Sequence, residues 1–106
     1  MASTVAVVGI LAASATLVAG LSAVGAAAIH SQRLAGAADS AALAAADTVT
    51  GLAAGEPCDR AADLAATAGA AVAVCDIDGF VVTVTVTARF GVFPSSATAR
   101  AGPPPG

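Results

Sequence analysis

The sequence contains no lysine, tryptophan or tyrosine, three phenylalanines, one histidine and two cysteines. Each shortage excludes something. With four arginines and a net charge of −3, the chain has no basic face of the kind nucleic acid requires. The single histidine, His30, has no partner set for nucleophilic catalysis, and none of Ser14, Ser22, Ser31 or Ser40 belongs to a Ser/His/Asp constellation. No catalytic residue, cofactor or small-molecule substrate is therefore expected. The cysteines form no CxxC pair and lie far from His30, so no metal site is expected. Asp76 and Asp78 flank a turn signal, but two carboxylates are too few for calcium.

What is present is small and apolar. The chain of 106 residues is 58% hydrophobic, mostly alanine and valine, enough for one small domain. Such side chains bury little area each, so a membrane, a disulfide or partner subunits must add to the stability of the core.

The first twenty-nine residues carry no ionisable side chain. Val5–Ile29 is long enough to cross a bilayer as a helix, which takes about 20 residues. Gly9/Ala13, Ala12/Thr16, Thr16/Gly20 and Ala19/Ala23 repeat small residues at four-residue spacing, which lets another helix come close. The rival reading is a signal peptide cleaved near Ala28, after the small residues 26–28, releasing a small secreted binding module. The apolar run exceeds the usual h-region of ~7–15 residues and no basic segment precedes it, which favours a retained anchor.

Residues 33–47 read RLAGAADSAALAAAD. On a helical wheel Leu34, Ala38, Ala41, Ala45, Val49 and Leu52 share one face, and Arg33, Ser40 and Asp47 lie opposite. The spacing predicts a helix running out of the membrane to about Leu52, with a narrow face suited to packing. Pro57 and Gly69 bracket a second, short amphipathic helix with Cys58 on its apolar side. The period then becomes two. Residues 71–77 and 80–90 flank Asp78-Gly79, a hairpin turn signal between β-branched runs. A two-residue loop pairs Ile77 with Phe80 and Cys75 with Val82. Ala73, Cys75, Ile77, Phe80, Val82, Val84 and Val86 then share the buried face; Thr83, Thr85, Thr87 and Arg89 share the wet one. Cys75 thus faces the short helix, and a Cys58–Cys75 bond would staple helix to sheet; free thiols are the alternative. A disulfide implies an oxidising compartment, which places the C-terminal part outside the cytoplasm against the faint opposite bias of Arg33. The stretch PSSATARAGPPPG is rich in Pro, Gly and Ser and reads as a flexible tail.

The expected class is α+β. Residues 1–4 form an N-terminal tail, 5–29 a transmembrane helix and 30–54 its alanine-rich continuation. Residues 55–92 form a helix-plus-hairpin head, and 93–106 a flexible C-terminal tail.

The order of these features resembles the TadE-like proteins of actinobacterial pilus and secretion gene neighbourhoods. It comprises an uncharged membrane helix, RLAGAADSAALAAAD, the PC pair 57–58, a second cysteine before DG, a valine/threonine strand and ARAGP at 99–103. The resemblance covers nearly the whole chain. It implies a pilin-like fold and a minor pilin or pseudopilin of a tight-adherence (Flp/type IVb-like) pilus or related secretion machine. It also implies single-pass attachment to the cell membrane, and partners among other pilin-like or TadE/TadG-like subunits and the assembly platform. The uncharged span lacks the glutamate that type IV pilins carry near the start of the mature chain, a departure from that wider family.

Overall fold

Nothing between Ala2 and Val49 breaks a helix: alanine dominates and proline is absent. In the computed structural model, which describes residues 1–104, this stretch is one continuous helix, α1 (Ala2–Val49). Three shorter strands and a second helix follow: α2 (Pro57–Thr67), β1 (Ala71–Asp78), β2 (Val81–Phe90) and β3 (Phe93–Ala101). The α+β class with a long N-terminal helix and a small head is as expected. The helix takes in residues 2–4, so the expected N-terminal tail is its first turn. Residues 105 and 106 of the expected C-terminal tail lie outside the described residues.

Both helices stop by the same device. After α1, Gly51 adopts φ +83°, and the amides of Gly51 and Leu52 donate to the carbonyls of Thr48 and Asp47. After α2, Gly69 adopts φ +73°, and the amides of Gly69 and Ala70 donate to Ala66 and Ala65. These are Schellman caps, which need a left-handed residue and hence favour glycine. The cap ends α1 at Val49 and carries Leu52 off the apolar stripe. Leu52 is 82% exposed, which corrects its expected place in the packing face. Pro57, whose missing amide costs nothing there, opens α2.

The three strands form one antiparallel sheet in the order β1-β2-β3. The first hairpin turns at Gly79-Phe80 rather than Asp78-Gly79: Asp78 pairs with Val81, Ile77 with Val82 and Cys75 with Val84. Gly79 has φ +62° and, among the described residues, no non-glycine residue has positive φ, the pattern of a type II′ turn with glycine at its first central position. The pairing therefore shifts by two residues. An even shift leaves the faces unchanged, and Cys75 still points inward. Phe80, placed in the turn, is exposed instead of buried. A bulge between Val72 and Val74 reverses the sides at the start of β1: Val72 pairs with Val86 and Ala73 is exposed.

The expected flexible tail is corrected further. Residues 93–101 form β3, joined to β2 by a second glycine-first turn in which Gly91 has φ +63° and Phe90 pairs with Phe93. Ser95, Ala97, Ala99 and Ala101 alternate inward, while Ser96, Thr98 and Arg100 face out. α1 lies across β2 and β3, and α2 packs on α1 and β1. The core is the seam between them. Val82, Val84 and Val86 are fully buried against alanines of α1 and α2, with Ala99 beside them. The outer sheet face is the expected wet one, where Thr85 and Thr98 share a hydrogen bond of 2.8 Å.

Candidate functional site: an apolar arm and a stapled head

The chain divides into an exposed arm and a packed head. Every residue from Met1 to Ile29 is exposed, including Ile10, Leu11, Leu17 and Leu21. At 1.5 Å per residue this arm is about 43 Å long, more than the ~30 Å hydrocarbon core of a bilayer. It is long and apolar enough to be a single membrane span, a property that a signal sequence shares. Its hydroxyls do not oppose that environment: Thr16 Oγ1 donates to the Ala12 carbonyl at 2.9 Å, inside its own helix.

Head contacts begin at His30. Its ring lies 5.0 Å from that of Phe90, and its Nε2 is 2.8 Å from Ser95 Oγ. The Ser95 hydroxyl gives its one proton to the Ala88 carbonyl at 2.8 Å, so Nε2–H of His30 is the donor in the second bond. This clasp ties the start of the head's share of α1 to the β2–β3 hairpin. Ser95→Ala removes the bridge between helix and hairpin at a cost of about 1 kcal/mol. Amide hydrogen exchange at Arg33 and Leu34 is the expected readout. It should quicken in the variant while the exchange of Val84 stays unchanged.

From Leu34 onward α1 shows two buried rows rather than a narrow stripe. Leu34, Ala38, Ala41 and Ala45 are buried as expected, and Val49 is half-buried. Ala37, Ala42, Ala46 and Thr48 are buried as well. The second row exists because α1 is covered on two sides, by the sheet and by α2. Thr48 solves its burial locally, donating to the Ala44 carbonyl at 2.8 Å. The alanine face is thus occupied by the protein's own head. Leu43 and the first residues of the helix remain free.

Cys58 and Cys75 form a disulfide with their Cα atoms 5.9 Å apart. It links the first turn of α2 to the middle of β1, an edge strand, and joins the two elements least held by the core. Among the described residues no group of three or more His, Cys, Asp or Glu side chains could hold a metal ion. A groove at the far end of the head is lined by Leu43, Ala46, Asp47, Thr50 and Leu52 with Gly102 and Pro103; among the described residues Asp47 and Thr50 are the polar ones that line it.

Sequence reasoning missed the His30–Phe90–Ser95 clasp. Phe90 and Ser95 stand sixty or more positions from His30, and once 93–101 reads as a tail nothing brings them to it. The alternation of small inward and polar outward residues in 95–101 was the available signal. Comparison of the chain with protein families, curated proteins and solved structures finds no match.

Proposed function

We propose that the chain is a membrane-anchored structural subunit of an envelope assembly, a minor pilin or pseudopilin of a tight-adherence pilus or related secretion machine. The observation that carries this reading is the arm: twenty-nine exposed residues without an ionisable side chain, on a helix continuous with the head. An apolar surface of that extent needs a non-aqueous neighbour. Lipid serves before assembly, and sibling arms serve within it. The small residues at Gly9, Ala12, Ala13, Thr16 and Gly20 support close approach of such arms, and a Cβ at Gly9 or Gly20 would meet nothing within 4 Å in the lone chain. The disulfide supports an extracytoplasmic head. The resemblance of residues 33–47, the cysteines and ARAGP to TadE-like proteins supplies the type of assembly.

The test is the intact mass and location of the chain in its cells, together with a photo-crosslinking residue at Leu17. The reading expects the chain with its arm in the membrane or a sheared filament fraction, and crosslinks from Leu17 to other pilin-like subunits. A chain beginning at Ile29 and recovered from the medium would overturn it in favour of a secreted module. Crosslinks to lipid alone, under conditions in which filaments form, would reject the structural role and leave the anchor.

A further inference from the structure

The β2–β3 hairpin reaches further toward the arm than β1 does. β1 begins opposite Thr87, whereas β2 continues to Phe90. The hairpin therefore projects three residues, about 10 Å, past the start of β1. It projects toward the arm: Phe90 and Ser95 meet His30, immediately after the last residue of the uncharged run. At its tip Val92 is 82% exposed and Phe93 is 69% exposed. Two of the chain's three phenylalanines stand in this turn. Phe90 is partly covered by His30, whereas Val92 and Phe93 leave most of their apolar surface in water.

Charge is sorted along the same axis. Arg33 and Arg89, both exposed, are the cations at this end. The seven carboxylates lie elsewhere. Asp39, the first along α1, is nine residues or about 14 Å beyond His30. Asp76 and Asp78 pair with Thr83 and Val81 at the opposite end of the sheet. Glu56 and Asp59 stand at the start of α2, a few residues after the end of α1, and Asp63 is midway along α2.

We propose that the hairpin tip Phe90–Phe93 is a second membrane contact, seated in the headgroup–acyl boundary of the bilayer that the arm enters. Arg33 and Arg89 meet anionic phosphate groups there. The inference rests on the arm being inserted in a bilayer. Continuity supplies the occupant, because an arm buried to Ile29 puts the lipid surface at His30, where the tip already lies. Amphipathic elements of this kind bury apolar side chains about 5–10 Å into the boundary and gain from anionic lipid. The contact fixes the tilt of the head against the membrane, which a lone helix does not.

The chain has no tryptophan, so single-tryptophan reporters are clean. The full chain, with its disulfide verified by mass, is reconstituted in vesicles of phosphatidylcholine and phosphatidylglycerol. Three variants are compared: Phe93→Trp at the tip, Phe80→Trp at the far end of the sheet and Leu17→Trp in the arm. Expected are a blue shift and loss of most emission on adding brominated lipid for Phe93→Trp and Leu17→Trp. Phe80→Trp should instead emit as in water and be quenched by acrylamide. Quenching of Phe93→Trp should weaken in pure phosphatidylcholine; equal quenching would overturn the role given to Arg33 and Arg89. If Leu17→Trp is quenched by brominated lipid and Phe93→Trp is not, the hairpin contact is wrong and the anchor stands. If Leu17→Trp is not quenched either, anchor and contact both fail. Protection of Phe93→Trp from lipid and acrylamide alike would assign the tip to another protein copy and overturn the proposal.

Discussion

Replacing both cysteines, Cys58→Ala with Cys75→Ala, should lower the stability of the head by about 3 kcal/mol, the chain-entropy value for a loop of this size. The loss should fall on α2. Only Ala61 and Ala65 of that helix are buried, and alanine side chains anchor little by themselves. The absence of lysine offers a local readout. Trypsin can cut only at Arg33, Arg60, Arg89 and Arg100, and Arg60 lies in α2. Native cleavage at Arg60 tracks the open population when opening is fast relative to cutting, so it should rise on the order of a hundredfold in the double variant. Cleavage at Arg89 should rise much less, because that stretch of β2 pairs with β3, which the disulfide does not touch. An unchanged rate at Arg60 would mean that α2 is held by its packing on α1 and that the bond is incidental to stability.

Bulk on the alanine face should be nearly as harmful. Ala41 and Ala45 are 0% exposed between α1, the sheet and α2. Leucine fits neither place without shifting a helix, and overpacking of this kind costs typically 1–3 kcal/mol. Ala45→Leu is expected to be the worst, because it sits midway in the buried stripe between Ala41 and Val49. Ser40→Leu, on the exposed side of the same helix, should stay within about 0.5 kcal/mol. Leucine and alanine have similar helix propensity, so the comparison isolates packing. Denaturant midpoints of the disulfide-intact full chain in detergent measure all three variants. Equal midpoints would show that the face yields to extra volume and that close helix–sheet contact is not what stabilises the head.

Much of this arrangement is legible in the sequence. The 3.6-residue spacing of Leu34, Ala38, Ala41 and Ala45 and the two-residue alternation of β2 depend on side-chain patterns many residues long, and averaging protects them. The cysteine pairing survived a wrong turn because the true register differs by two, and an even shift keeps every side chain on its face. What failed depended on single backbone events. One left-handed glycine after Thr50 removed Leu52 from the helix, and one bulge turned Ala73 outward. The third strand was hidden for a different reason. Its inward residues must be small to fit beneath α1, so the strand is written in serine and alanine, residues of low β propensity, with a proline tolerated near its start.

The unbroken passage of α1 from arm to head sets a phase as well as a length. With no hinge between Ile29 and Leu34, the bearing of the head about the helix axis is locked to whichever side of the arm faces its neighbours. Each residue added within the junction would swing the head by about 100° and raise it about 1.5 Å. Seven added residues would bring it back to within about 20° of its first bearing while lifting it about 10 Å. Compass direction and altitude are thus separable quantities in this molecule, and only the first is periodic. Any array built on these arms would inherit that direction at every site.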